Sequence, residues 1–118
     1  MDEEIIGRGT LVGASGHTMT GGFMIRQESK EALLEISSNF FFDGAPAPWW
    51  AFGTKGQFDR DTLFAKLERD TGAQSATIPT TIQIADFDTV ILWCRAADVL
   101  LGTGAIKWGD GSVPAADS

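Results

Sequence analysis

The stretch TVILWCR, residues 89–95, constrains the fold more than any other part of the chain. In an extended backbone Val90, Leu92 and Cys94 fall on one face, and Ile91 and Trp93 on the other. A half-exposed strand alternates apolar with polar residues, whereas a strand apolar on both faces must be covered on both sides. Residues 89–95 are therefore predicted as a central strand.

The rest of the chain supplies partners for it. Residues 4–12 (EIIGRGTLV), 19–27 (MTGGFMIRQ), 32–42 (ALLEISSNFFF), 49–53 (WWAFG) and 99–108 (VLLGTGAIKW) read as further strands, with shorter candidates at 75–79 and in the TIQI stretch. Turn chemistry separates them: GASGHT, SKE, ADFD and AAD. Gly21 and Gly22 allow a bulge or close packing, and Gly102 and Gly104 mark a bend or bulge. The loop DGAPAP, 43–48, cannot carry a ladder, because Pro46 and Pro48 lack amide donors. Half of the chain's Phe and Trp residues lie in 40–53, where they end one strand and begin the next across this loop. The polar segment 54–74 is predicted as a long loop with a helical turn capped by Asp59 or Asp61, or with a short strand around Phe64–Leu67.

Short strands with regular turn signals predict a single all-β domain over 1–118, an antiparallel β-sandwich or sandwich-like barrel of about eight strands. It is expected to be ordered over about 4–108, with a flexible tail at 109–118. The predicted core is Leu11, Phe23, Leu34, Phe41, Phe52, Val90, Leu92, Trp93 and Leu100.

Charge narrows the function. With 16 acidic against 9 basic side chains the net charge is −7, which disfavours nucleic acid and anionic lipid surfaces. No apolar run reaches the length of a membrane span. The single cysteine, Cys94, rules out an internal disulfide, a CxxC redox pair and a CxxCH haem attachment. The start MDEEIIGRG has no basic stretch followed by an apolar core, so no signal peptide is read in it.

The stretch DFDTVILWCRAADVLLGTGAI resembles the C-terminal signature of the DM13 domain family, with Trp93-Cys94-Arg95 as its most specific element. GHTMTGGFMI is similar to the family's His followed by a Gly-containing strand, and FFFDGAPAPWWAFG to its strand, Asp-Gly-x-Pro loop and aromatic strand. The likeness spans about residues 7–107. It implies a β-rich extracytoplasmic module, periplasmic or at the cell surface, of the kind found beside DOMON domains. It further implies an electron-transfer role centred on the cysteine, with a redox or cytochrome-type partner on another chain.

Three groups of residues carry candidate chemistry. Cys94 is either a buried core thiol, like most free cysteines, or the redox group. Strand alternation sends Arg95 to the opposite face, so an activating partner has to come from elsewhere, and His17, the one imidazole, is expected in the same pocket. His17 and Met19 could both ligate a soft metal, yet two ligands make no site; no metal is assigned and no cofactor is identified. Trp49 and Trp50 point to opposite faces, one inward and one toward a groove or solvent. With Trp93 and Asp43 they form the candidate surface of the alternative function, a carbohydrate- or protein-binding module.

Other signals are weak. GRGTLVG has the wrong glycine spacing for a dinucleotide site, and Asp59-Arg60-Asp61 opens no EF-hand loop. Asp86 and Asp88 read as turn formers, and Ser15 and Ser112 have no base in context. The chain is expected to be non-catalytic.

Overall fold

A computed structural model describes residues 4–109. The domain is all-β, antiparallel and sandwich-like, and the barrel alternative is set aside because the sheets do not close. The described residues form thirteen short strands: β1 (Glu4–Thr10), β2 (Val12–Gly13), β3 (Met19–Thr20), β4 (Gly22–Gln27), β5 (Ala32–Ile36), β6 (Phe41–Phe42), β7 (Pro48–Thr54), β8 (Gln57–Phe58), β9 (Ala65–Lys66), β10 (Gln74–Ile78), β11 (Thr89–Cys94), β12 (Val99–Ala105) and β13 (Lys107–Trp108). One sheet has the order β10-β5-β4-β1-β13. The other runs β2-β12-β11-β7-β8, with β9 also on β7, and β3 and β6 form a separate pair. No helix among the described residues is long and apolar enough to cross a membrane.

The expectation of about eight strands is corrected by how four of them break. Each of 4–12, 19–27, 32–42 and 99–108 is two strands in different sheets, parted at Leu11, at Gly21, over 37–40 and at Ile106. Leu11 and Ile106 are buried where the chain steps from one sheet to the other. At Gly21 the backbone is left-handed, φ +118°, and a Cβ would stand 2.7 Å from the Phe40 Cα, so both conformation and space require glycine there. The TIQI strand candidate is also corrected: Ile82 donates to Pro79 O, and Ile84–Asp86 is a 3₁₀ turn, so Pro79 ends the ladder at β10. In the 54–74 excursion Asp59 does cap a 3₁₀ turn, Arg60–Thr62, by accepting the Asp61 amide, and the short strand is β9.

The core lies between the two sheets. Phe23, Ile25, Leu34, Ile36 and Ile78 from the first meet Trp50, Phe52, Val90, Leu92 and Leu101 from the second. Fully burying a large apolar side chain contributes about 1.5–3 kcal/mol. Three predicted core residues lie elsewhere. Phe41 is 43% exposed because Phe40 and Phe42 take the inward positions around it. Leu100 is half-buried because a bulge opposite Leu92 and Trp93 leaves Leu101 unpaired and turned inward. Trp93 stands on the outer face of its sheet. The expected tail begins with Gly109, whose amide donates to Ile6 O; its remainder, 110–118, lies outside the described residues.

Two glycines let the sheets meet at the corner where β1 and β12 approach. A Cβ on Gly9 would stand 2.2 Å from Ala105 O and 2.6 Å from the Phe23 ring; one on Gly104 would stand 2.6 Å from the same ring. The first clash is with backbone and cannot be relieved by a rotamer change. Gly9→Ala should therefore destabilise the domain by about 1–3 kcal/mol. Urea unfolding monitored by tryptophan fluorescence checks it, and an unchanged midpoint would mean that the corner is not close-packed.

Candidate functional site

Cys94 is the last residue of β11 and is 1% exposed. Its inner-face neighbours on the same strand are Val90 and Leu92, as the alternation required. Across the ladder it faces Pro48 of β7 and Val99 of β12. Beyond it residues 95–98 are all exposed and turn the chain into β12. The turn closes through the Asp98 amide donating to Cys94 O at 2.7 Å, with Asp98 in a left-handed conformation, φ +57°. The Ala97 amide reaches the sulfur itself at 3.4 Å. The thiol is thus a core group by burial, lying at a strand end directly under a solvent-exposed turn.

His17 sits on the loop leading into β3. Its Nδ1 is 2.8 Å from Asp43 Oδ1, and its side chain is 27% exposed. An ionised carboxylate only accepts, so Nδ1 carries the hydrogen of this bond. The second Asp43 oxygen accepts the Thr18 amide at 3.0 Å, and the Asp43 amide donates back to Thr18 O. Phe42 stacks on the imidazole with centroids 5.5 Å apart. The hydrogen bond of His17 therefore goes to Asp43, and the sulfur takes a backbone amide instead. Met19 is buried over Gly102, where a Cβ would meet its Cε at 2.1 Å, so its thioether is a core group. Among the described residues no three His, Cys, Asp or Glu side chains are grouped to hold a metal ion.

The aromatic candidates divide as alternation requires. Trp50 is 1% exposed and packs against Phe40, leaving it no surface to offer a ligand. Trp49 and Trp93 are half-buried and directly opposite each other on β7 and β11. The Arg95 guanidinium lies 4.6 Å above the Trp49 ring. Phe58 stacks on Trp93 with centroids 3.9 Å apart and planes within 12°. Arg60 lies over both of those rings and pairs with Asp98 at 2.9 Å, and the Trp93 indole N–H donates to the same Asp98 oxygen at 3.2 Å. The Arg60 hydrogen bond, aided by its charge and by the indole N–H, holds the Asp98 carboxyl below its ordinary range. Phe58, Arg60 and Asp98 were not among the candidate site residues read from the sequence, and Arg95 was named there as part of Trp93-Cys94-Arg95. Strand alternation placed Arg95 on the face opposite Cys94, but nothing local signals that 58–60 folds over Trp93.

The Asp43 carboxyl is also held below its ordinary range, first by the Thr18 amide and then by His17. A depressed folded-state value favours folding above the unfolded carboxyl's titration, and the gain is lost as pH falls through the folded value. Asp43→Asn should lower stability at neutral pH, and the gap to the wild type should close on acidification below about pH 4. Urea midpoints measured across that range test it; a gap independent of pH would point to steric rather than charge effects.

No curated protein and no solved structure matches the chain at a significant level. The model of the family described as electron transfer DM13 matches residues 10–106, a span that includes His17, Asp43, Trp49, Trp93 and Cys94. The chain belongs to the DM13 family of electron-transfer domains.

Proposed function

We propose that the chain is a non-catalytic electron-transfer accessory module working outside the cytoplasm, at the periplasm or cell surface, with Cys94 as its redox group. The observation that carries the reading is the position of this one thiol in a domain of an electron-transfer family: the end of the central strand, beneath an exposed four-residue turn. A lone thiol has no second cysteine in this domain to close a disulfide with. Its redox partner therefore lies outside this domain, for example in a cytochrome-type protein. His17 and Asp43 then serve to brace the entry to the proline loop, whose far end is tied to the thiol turn by the Arg95 amide donating to Ala47 O at 2.9 Å.

A second reading, a binding module for a glycan or a protein, is favoured by the side-by-side Trp49 and Trp93. It uses the opposite face of the same strand end, so the two readings are compatible.

A buried thiol becomes available by local opening, which costs less than global unfolding. Iodoacetamide should label Cys94 in the folded protein faster than global unfolding allows. Asp98→Asn, which removes the charge holding Arg60 and the turn, should accelerate labelling a few-fold. Labelling no faster than global unfolding in both proteins would make Cys94 a structural core residue and overturn the redox reading.

A further inference from the structure

We propose that the outer face of the second sheet around Trp49 and Arg95 docks a redox protein through an acidic surface on that partner; the identity of the partner as a redox protein rests on the electron-transfer reading, whereas the acidic chemistry does not. Residues directly opposite in an antiparallel ladder share a face. Trp93 is opposite Trp49, and Trp49 is opposite Lys66, so two indoles and an ammonium form one row across β11, β7 and β9. Arg95 adds a guanidinium stacked on Trp49, and Arg60 another over Trp93. Three of the chain's nine basic side chains thus gather around two rings in a molecule of net charge −7. The carboxylate in contact with these rings is Asp98, and it is matched by Arg60. Arg95 and Lys66 have no carboxylate partner among the described residues.

The local sign is therefore opposite to that of the whole chain. The net charge of −7 disfavours an acidic partner over the molecule as a whole, whereas this patch attracts one, which fixes orientation as well as affinity. Arg and Trp are also the side chains that dominate binding energy at protein interfaces. Sugar stacking is less well served. It needs an open indole face, but Phe58 covers Trp93 and Arg95 covers Trp49. What remains available is the edge of a planar guanidinium, pre-oriented by its stacking, and a free ammonium, both of which are donors for carboxylates. The patch flanks the thiol on both sides in sequence, Trp93 before it and Arg95 after it, so a partner seated here lies against the strand end that carries Cys94.

The test uses poly-L-glutamate as the acidic polypeptide and polygalacturonate as the acidic glycan, each titrated at low ionic strength with tryptophan fluorescence and calorimetry as readouts. Poly-L-glutamate should bind the wild type and Cys94→Ser alike, lose binding at high salt, and bind Arg95→Gln and Lys66→Gln about tenfold more weakly. Unchanged circular dichroism shows that these surface variants are folded. Absence of poly-L-glutamate binding, binding unaffected by both substitutions, or preferential binding of polygalacturonate would each overturn the proposal. An inert, protected Cys94 alongside intact poly-L-glutamate binding would remove the redox reading while leaving the acidic docking surface in place.

Discussion

Cover on both faces of β11 is the constraint from which the other features follow. Its inner side chains, Val90, Leu92 and Cys94, fill the space between the sheets with Trp50 and Phe52 of the adjoining strand. Its outer side chains cannot face open water either, and the excursion after β7 supplies Phe58 and Arg60 to lie over Trp93. Thr62 ties that excursion down: its hydroxyl donates to Phe52 O and accepts the Phe52 amide, both within 2.9 Å, in a buried position. Such a doubly bonded buried hydroxyl is costly to leave unpaired, so the 3₁₀ turn is held in register with β7. The aromatic and basic outer surface is thus a product of the requirement that made β11 central.

The parts of the fold legible in the sequence are those governed by short-range periodicity. Alternation alone gave the two faces of β11, sent Arg95 away from Cys94 and separated Trp49 from Trp50. Turn residues marked the ends of the hairpins. The sheet switches at Leu11 and Ile106 left no such mark, because a strand that changes partners keeps its apolar pattern through the break. Phe40–Phe42 and Leu100–Leu101 show the same limit. In a run of similar apolar residues a single bulge or turn resets the phase, and composition cannot report which residue turns inward.

The site shows a similar division. The place of Cys94, buried at the end of the central strand, was readable from the alternation around it. Its hydrogen-bond partner was not, since the Ala97 amide is supplied by the turn geometry rather than by a side chain. Asp43 was visible as part of the proline loop, but its bond to His17 spans 26 residues and depends on β3 pairing with β6. The Trp93–Asp98–Arg60 cluster likewise needs the register of three separated segments.

The lengths of the outermost strands bear on self-association. β13 at one end of the first sheet, β2 at one end of the second and β8 and β9 at its other side have two residues each, so they present too few unpaired amides and carbonyls to template another chain. β10 is the longer border, at five residues, and it stops at Pro79, which has no amide to extend the ladder. A domain built almost wholly of strands would otherwise be an aggregation hazard; here the boundaries of the sheets guard against edge-to-edge polymerisation while the broad outer face stays free for contacts made by side chains.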